Sequence, residues 1–239
     1  MAAQPLLEVQ GLTKRFGGLL ANDRVDITVG AAEIVGLIGP NGAGKTTFFN
    51  GLTGQVRIDA GRVLFGGRDL TNRAPEEIAR AGIARTFQLV KVFREMTVVD
   101  NVIVGAFLRE VTRRAARARA IEALRTVGLA PVEASLAGEL PVALQKRVEL
   151  ARALATGPRL IVLDEALSGL TPAETRDALE VLRLLRERSI ALLVVEHVME
   201  VIMTLSDRVV VLDAGRRIAS GAPAEVARDA RVVEAYLGA

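Results

Sequence analysis

The stretch Gly39-Pro-Asn-Gly-Ala-Gly-Lys-Thr46 decides how this chain folds. It matches the G-x-x-x-x-G-K-[ST] pattern at every position and follows the apolar run Glu33-Ile-Val-Gly-Leu-Ile38. Its three glycines allow backbone angles that residues with a Cβ resist, so that successive N–H groups turn inward toward an anion. The alternative is an ordinary glycine-rich turn before a helix. The full match and the preceding strand favour a phosphate-binding loop and predict a site for a nucleoside triphosphate.

Two side chains at the end of this loop carry its chemistry. We expect Lys45 to reach the β- and γ-phosphates and the Thr46 hydroxyl to hold Mg²⁺. The helix that begins there directs its positive end at the same anion. The nucleotide-binding residues predicted in the loop are Gly39, Pro40, Asn41, Gly42, Ala43, Gly44, Lys45, Thr46 and Thr47.

Composition excludes several classes of protein. Half of the 239 residues are hydrophobic, but no uncharged apolar run approaches the ~18 residues that a membrane span needs. The first residues lack the basic-then-apolar pattern of a secretory signal, so we expect a cytoplasmic protein. The chain has no cysteine, which excludes disulfides, thiolate catalysis and cysteine-based metal sites.

The net charge of +3 comes from 31 basic and 28 acidic residues, so the chain is only slightly basic. The basic residues concentrate on one predicted helix, at Arg109, Arg113, Arg114, Arg117 and Arg119. Such a cluster is more commonly a solvated helix face than a contact for nucleic acid, so we do not expect nucleic acid as a partner. Because no aromatic residues alternate with these arginines, we do not expect a stacking surface for single strands.

The pattern along the chain predicts an α/β core interrupted by helices. The first strand signals are Leu7–Gln10, Val25–Val29, Ile34–Ile38 and Val63–Phe65. From about Thr97 to Thr156 the pattern is helical, with a capping box at Thr97-Val-Val-Asp100 and a helix former at Ala115–Val127. Strands and helices then alternate again, at Leu160–Leu163, from Pro172, at Ile190–Val195, from Val198 and at Val209–Leu212.

Two carboxylates end one of these apolar strands, in Leu160-Ile-Val-Leu-Asp164-Glu165. The carboxyl edge of an open α/β sheet is where ligands bind. Phosphate-loop enzymes place an aspartate here to hold Mg²⁺, and Glu165 could polarise a water for attack on the γ-phosphate. The alternative is a strand end that opens into a solvated turn. His197, the only histidine, follows another such strand and could equally be structural or contact the γ-phosphate.

Over nearly its whole length the chain resembles the ATPase subunits of ABC transporters. Gly39–Thr47 matches their Walker A motif and Leu160–Glu165 their Walker B motif with the catalytic glutamate. Gln88 matches the Q-loop glutamine, His197 the switch histidine, and Phe16 the aromatic that stacks on adenine. The resemblance implies ATP and Mg²⁺ as cofactors, with Glu165, His197 and Gln88 as catalytic residues. It implies Thr46, Gln88 and Asp164 as the residues around the metal.

The resemblance also implies the architecture: an α/β P-loop NTPase (RecA-like) core with an antiparallel β subdomain and an inserted α-helical subdomain. We expect a single ABC ATPase domain over 1–239, with the core in 1–87 and 157–239 and the helical subdomain in about 88–156. The segments Arg85–Thr97, Val195–His197 and Ala235–Gly238 are similar to subunits of branched-chain amino-acid importers.

This likeness implies an ATPase that drives an importer for branched-chain or related amino acids. Its expected partners are integral-membrane permease subunits, a second ATPase subunit and, indirectly, an external solute-binding protein. The expected place is the cytoplasmic face of the inner membrane, as a peripheral subunit. Polar or aromatic amino acids, amides and urea stay open as solutes, because the residues that select the solute lie in other subunits.

One stretch departs from the family. Where family members have Leu-Ser-Gly-Gly-Gln, this chain has Leu140-Pro-Val-Ala-Leu144. In an ABC dimer that serine and the glycine N–H groups contact the γ-phosphate held by the opposite subunit, and Pro141 has neither a hydroxyl nor an N–H. The milder interpretation is that Pro141 occupies the first turn of a helix whose later amides still face the phosphate.

Smaller departures flank the Walker B motif. Ala166 replaces the usual proline, and Thr171 replaces the usual Asp or Asn of the D-loop. Thr171 is better explained as an N-cap, with Pro172 at the first helical position and Glu174 completing a capping box.

Two other functions stay open at this level. One is a soluble ABC-type ATPase without a permease that acts as a regulator or assembly factor, for which the arginine cluster is the only favourable feature. The other is a weakly hydrolysing subunit paired with an active sister, which the divergent Leu140–Leu144 stretch favours.

Overall fold

A computed structural model describes residues 4–86, 90–196 and 198–237. The strands are β1 (Leu7–Phe16), β2 (Leu19–Val29), β3 (Ile34–Ile38), β4 (Ala60–Phe65), β5 (Arg68–Asp69), β6 (Ile83–Arg85), β7 (Leu160–Asp164), β8 (Ala191–Val195), β9 (Arg208–Asp213) and β10 (Arg216–Gly221). The helices are α1 (Lys45–Leu52), α2 (Pro75–Ala81), α3 (Val98–Ala106), α4 (Arg113–Thr126), α5 (Val142–Ala155), α6 (Pro172–Glu187), α7 (Met199–Leu205), α8 (Pro223–Val226) and α9 (Ala230–Leu237). Short 3₁₀ turns lie at Ala130–Val132 and Ala137–Glu139.

The central sheet has the order β10-β9-β3-β8-β7-β6. Its pairs are parallel from β9 to β6, and β10 runs antiparallel to β9. Every residue of β3, β7 and β8 is buried, as expected of parallel strands that are covered on both faces. Because Val195 pairs with both Leu37 and Asp164, the carboxyl ends of β3, β7 and β8 meet at one edge of the sheet.

A second sheet, of order β2-β1-β4-β5, is antiparallel and packs its apolar face on α1. Sequence periodicity predicted the first strand only as far as Gln10, but β1 continues to Phe16. Gly11 interrupts the apolar alternation there with a φ of +59°. The pairing with β2 shifts register between Val9 and Leu12, so a bulge carries the strand past the glycine.

The helices α3, α4 and α5 share a hydrophobic cluster of their own, whose fully buried members all lie within residues 98–155. Thr97 is the N-cap of α3: its hydroxyl accepts from the Asp100 amide at 3.2 Å and donates to the Asp100 carboxylate at 2.7 Å, which is the cap but not the reciprocal backbone bond of the predicted box. The predicted capping box of Thr171 and Glu174 on α6 is confirmed. Arg109 lies between α3 and α4, not on the helix of the other clustered arginines, so that part of the prediction was wrong. Within the described residues, no helix combines the length and apolarity that crossing a bilayer requires.

Candidate nucleotide site

The predicted loop lies between β3 and α1, in the strand-then-helix setting that its pattern requires. Gly39 and Gly44 have φ values of +151° and +95°. A Cβ on Gly39 would overlap the Leu212 carbonyl oxygen of β9, and one on Gly44 would overlap the Ala21 carbonyl oxygen of β2. Both sheets therefore pack closely against the loop, and only glycine fits at these two positions.

The Lys45 side chain is buried and folds back over the loop. Its ammonium donates to the carbonyl oxygens of Gly39 at 2.7 Å and Pro40 at 2.9 Å. Burial lowers the pKa of Lys45, while the nearby carboxylates of Glu165 and Asp164 act in the opposite direction. An ammonium has three hydrogens, so one is left for a phosphate oxygen after the two loop carbonyls are satisfied.

A cleft of about 430 Å³ opens above the loop. It is lined by Phe16, Leu19, Leu20, Ala21, Asn41, Gly42, Ala43, Gly44, Lys45, Thr46, Thr47, Glu165 and Ala214. The predicted adenine-stacking residue, the loop and the predicted water-activating carboxylate therefore share one cavity. Phe16 is about half exposed at its edge, and the Lys14 ammonium lies 5.1 Å from the centroid of its ring.

Asp164 is the last residue of β7, and its carboxylate is held by Arg85 of β6 at 2.7 Å. The two side chains are 6% and 7% exposed. Arg85 also donates to Asn50 at 2.7 Å and to Thr53 at 3.1 Å, both on or next to α1. This arginine ties the strand of the carboxylates to the helix of the phosphate loop. Sequence patterns did not single it out as a site residue, because its partners lie far away along the chain.

Glu165 follows the buried strand with a φ of +51°, a left-handed conformation that is costly for a residue with a Cβ. Its amide donates to the Val195 carbonyl at 2.9 Å. From this position Glu165 lines the cleft. Gln88 and His197, the other two predicted catalytic residues, lie outside the described residues.

The residues present fit a magnesium ion. Thr46 is exposed and lines the cleft. Asp164 lies near enough to Lys45 for its carboxylate to oppose the lowering of that lysine's pKa. Hydroxyl and carboxylate oxygens are the hard ligands that Mg²⁺ takes beside phosphate oxygens and water.

The divergent stretch begins α5. Pro141 is the residue immediately before the helix, one position earlier than the first turn in which we expected it, and its side chain provides no capping hydrogen bond. Its carbonyl accepts from the amides of Leu144 and Gln145 at 2.9 and 3.0 Å. Val142, the first helical residue, is exposed. The first amides of a helix have no partner within it, so those of Val142 and Ala143 are the donors this end can offer to an anion.

Three of the clustered arginines pair with carboxylates: Arg113 with Asp100, Arg117 with Glu133 and Arg119 with Glu110. This pairing favours the solvated face over a nucleic-acid contact.

At the C-terminus, Tyr236 of α9 reaches the phosphate loop. Burial raises the pKa of its hydroxyl, and a hydrogen bond from the Gly39 N–H opposes that rise.

Loop, sheet edge and cleft together define a P-loop nucleotide-binding protein. A sequence profile of the ABC transporter family matches residues 22–168. A second profile, that of the branched-chain amino acid ATP-binding cassette transporter, matches residues 216–239. The chain belongs to the ABC transporter family, as an ATP-binding subunit.

Individual relatives cover the whole chain. It is 40% identical to the high-affinity branched-chain amino acid transport ATP-binding proteins BraF of Pseudomonas aeruginosa and LivG of Escherichia coli K12, over 99% of each chain. A crystal structure of an ABC transporter cassette in its ADP conformation superposes with a TM-score of 0.90 and 33% identity, covering 99% of this chain and all of that one.

Proposed function

We propose that this protein is the ATP-hydrolysing subunit of an ABC importer that carries branched-chain or related amino acids. The single observation that supports ATP hydrolysis is that Lys45, Thr46 and Glu165 line one cleft at the carboxyl edge of a parallel sheet. The amino-acid part rests on the relatives whose sequences match the chain from end to end.

In this proposal the triphosphate lies along residues 39–47 and adenine stacks on Phe16. The loop amides and the Lys45 ammonium neutralise the phosphates. Thr46 and Asp164, with Gln88, would hold Mg²⁺, which would neutralise charge on the phosphate oxygens. Glu165 positions and deprotonates the attacking water, and His197 contacts the γ-phosphate. Catalysis in such a site is mostly positioning and charge stabilisation.

The remaining face of the site would come from a second ATPase subunit, as the resemblance to ABC ATPases implies. Two subunits would enclose two ATP molecules, each between one subunit's loop and the other's signature stretch. Hydrolysis would then open the pair and move permease subunits, with this chain at the cytoplasmic face of the membrane. The segment of about 88–156 is the proposed helical subdomain.

We expect this pair to be a heterodimer, because Pro141 removes one donor to the γ-phosphate of the partner's nucleotide. A hydrogen bond to a charged group contributes about 1.5–3 kcal/mol, so the purified chain alone should hydrolyse ATP roughly ten- to a hundredfold more slowly than with its sister subunit. Steady-state phosphate release checks this. The variant Pro141→Ser restores a hydroxyl and should raise the rate of the chain alone. Full activity of the unmodified homodimer would refute the heterodimer.

The solute is tested in the assembled transporter. We expect the chain to co-purify with permease subunits and to fractionate with membranes only when they are present. In proteoliposomes, ATP hydrolysis should rise several-fold with binding protein loaded with leucine, isoleucine or valine. Aromatic amino acids and urea serve as controls. Stimulation by a control solute alone would exclude branched-chain amino acids while leaving the ATPase assignment intact.

A further inference from the structure

The backbone around Glu165 needs support from its surroundings. Its φ of +51° is unusual for a residue with a Cβ, and such a conformation persists only where neighbouring groups determine it. The Ser168 amide donates to the Glu165 carbonyl at 3.2 Å, closing a turn over residues 165–168. Two side chains from outside the turn also hydrogen-bond to its backbone.

Lys146 of α5 holds this turn from one side. Its ammonium donates to the Ser168 carbonyl at 2.6 Å and to the Glu165 carbonyl at 3.4 Å. Lys146 thus binds both ends of the turn through the backbone. It belongs to the same helix as the divergent Leu140–Leu144 stretch, and it was not predicted as a site residue.

Glu196 holds the turn from the other side. Its side chain lies directly after β8, is 3% exposed, and accepts from the Leu167 amide at 2.7 Å. A buried carboxylate is costly unless it is paired or hydrogen-bonded. Burial lowers the pKa of Lys146, and the carboxylates of Glu196, Glu149 and Glu165 oppose that shift. The ammonium and the carboxylates therefore stabilise one another around the turn.

We propose that Lys146 and Glu196 are positioning residues that hold Glu165 in its left-handed backbone conformation, so that its carboxylate faces the nucleotide cleft. Lys146 thereby connects the helix of the signature stretch to the water-activating carboxylate of the same chain. The inference rests on the proposed function in one respect, which is the role of Glu165 as the residue that activates the attacking water.

The test compares Lys146→Met with Lys146→Arg. Misplacing a catalytic group by about 1 Å costs roughly a hundredfold, so Lys146→Met should lower kcat about 10- to 100-fold while the Kd for ATP stays within about twofold. Lys146→Arg keeps a cationic donor and should recover most of the rate. The matched control is Arg147→Met. Arg147 joins α5 to Asp177 of α6 at 3.2 Å, and among the described residues its side chain has no hydrogen bond to residues 165–168, so its loss should leave kcat unchanged.

A double variant separates positioning from general structural support. If Lys146 acts through Glu165, Lys146→Met should not slow a Glu165→Gln protein any further. An unchanged kcat in Lys146→Met, or a further fall in the double variant, would overturn the inference. Wild-type turnover by Glu165→Gln alone would instead remove the role proposed for Glu165.

Circular dichroism shows whether each variant folds. If Lys146→Met does not fold, Glu196 provides the second test. Glu196→Gln keeps an oxygen acceptor for the Leu167 amide, so its kcat should be unchanged. Glu196→Leu removes that acceptor and should lower kcat at least tenfold. Equal rates in these two variants would refute the proposed role of Glu196 in positioning the turn.

Discussion

Replacing Glu165 with glutamine is expected to leave ATP bound and to lower the rate of hydrolysis about 10²- to 10⁴-fold, the usual contribution of a general base. The amide keeps the shape of the side chain and the backbone turn, but it cannot accept a proton from water. Lys45, Thr46 and the loop amides are unchanged, so the affinity for ATP should not fall. Binding of radiolabelled ATP and single-turnover release of phosphate measure the two effects separately.

The matched control is Glu200→Gln. Glu200 is an exposed acid in the first turn of α7 and does not line the cleft, so its substitution removes the same charge without touching the site. Its kcat should match that of the unmodified protein. If Glu165→Gln also turned over at the unmodified rate, another group would have to activate the water.

Replacing Arg85 with methionine is expected to lower the free energy of unfolding by about 3–5 kcal/mol, as when one partner of a buried ion pair is removed. Asp164 would be left as a buried charge without its guanidinium, and Asn50 and Thr53 would lose a donor. The cost is large because burial prevents water from replacing the lost partner. Urea unfolding followed by circular dichroism measures the change.

The control for Arg85 is Arg186→Met. Arg186 also pairs with an aspartate, Asp207, at 2.9 Å, but the two side chains are 47% and 32% exposed. Exposed pairs contribute about 0–1 kcal/mol, so the free energy of unfolding of this variant should be close to that of the unmodified protein. Similar small losses in both variants would show that the Arg85–Asp164 pair does not stabilise the core.

Much of the fold was predictable because the signals for it are local. The phosphate loop, the apolar strands β3 and β7 and the capping residues Thr97 and Thr171 each depend on residues within about ten positions. Such patterns reflect the backbone conformation and the buried face of one helix or strand, so they can be recognised without knowing the rest of the fold. The resemblance to ABC ATPases then implied how the elements assemble. The predicted ends of the strands were less accurate. In β1 the apolar alternation stops at Gln10, but a bulge allows the strand to continue to Phe16.

The sequence by itself predicted a phosphate-binding loop at residues 39–46 and a buried strand followed at its end by two carboxylates. Only the tertiary structure decided which groups surround them: Arg85 pairs with the Asp164 carboxylate, and Lys146 and Glu196 hydrogen-bond to the backbone of the turn that begins at Glu165. The physical reason is separation along the chain. Arg85 and Asp164 are 79 positions apart and meet because β6 and β7 pair in parallel, and no local periodicity records such a contact.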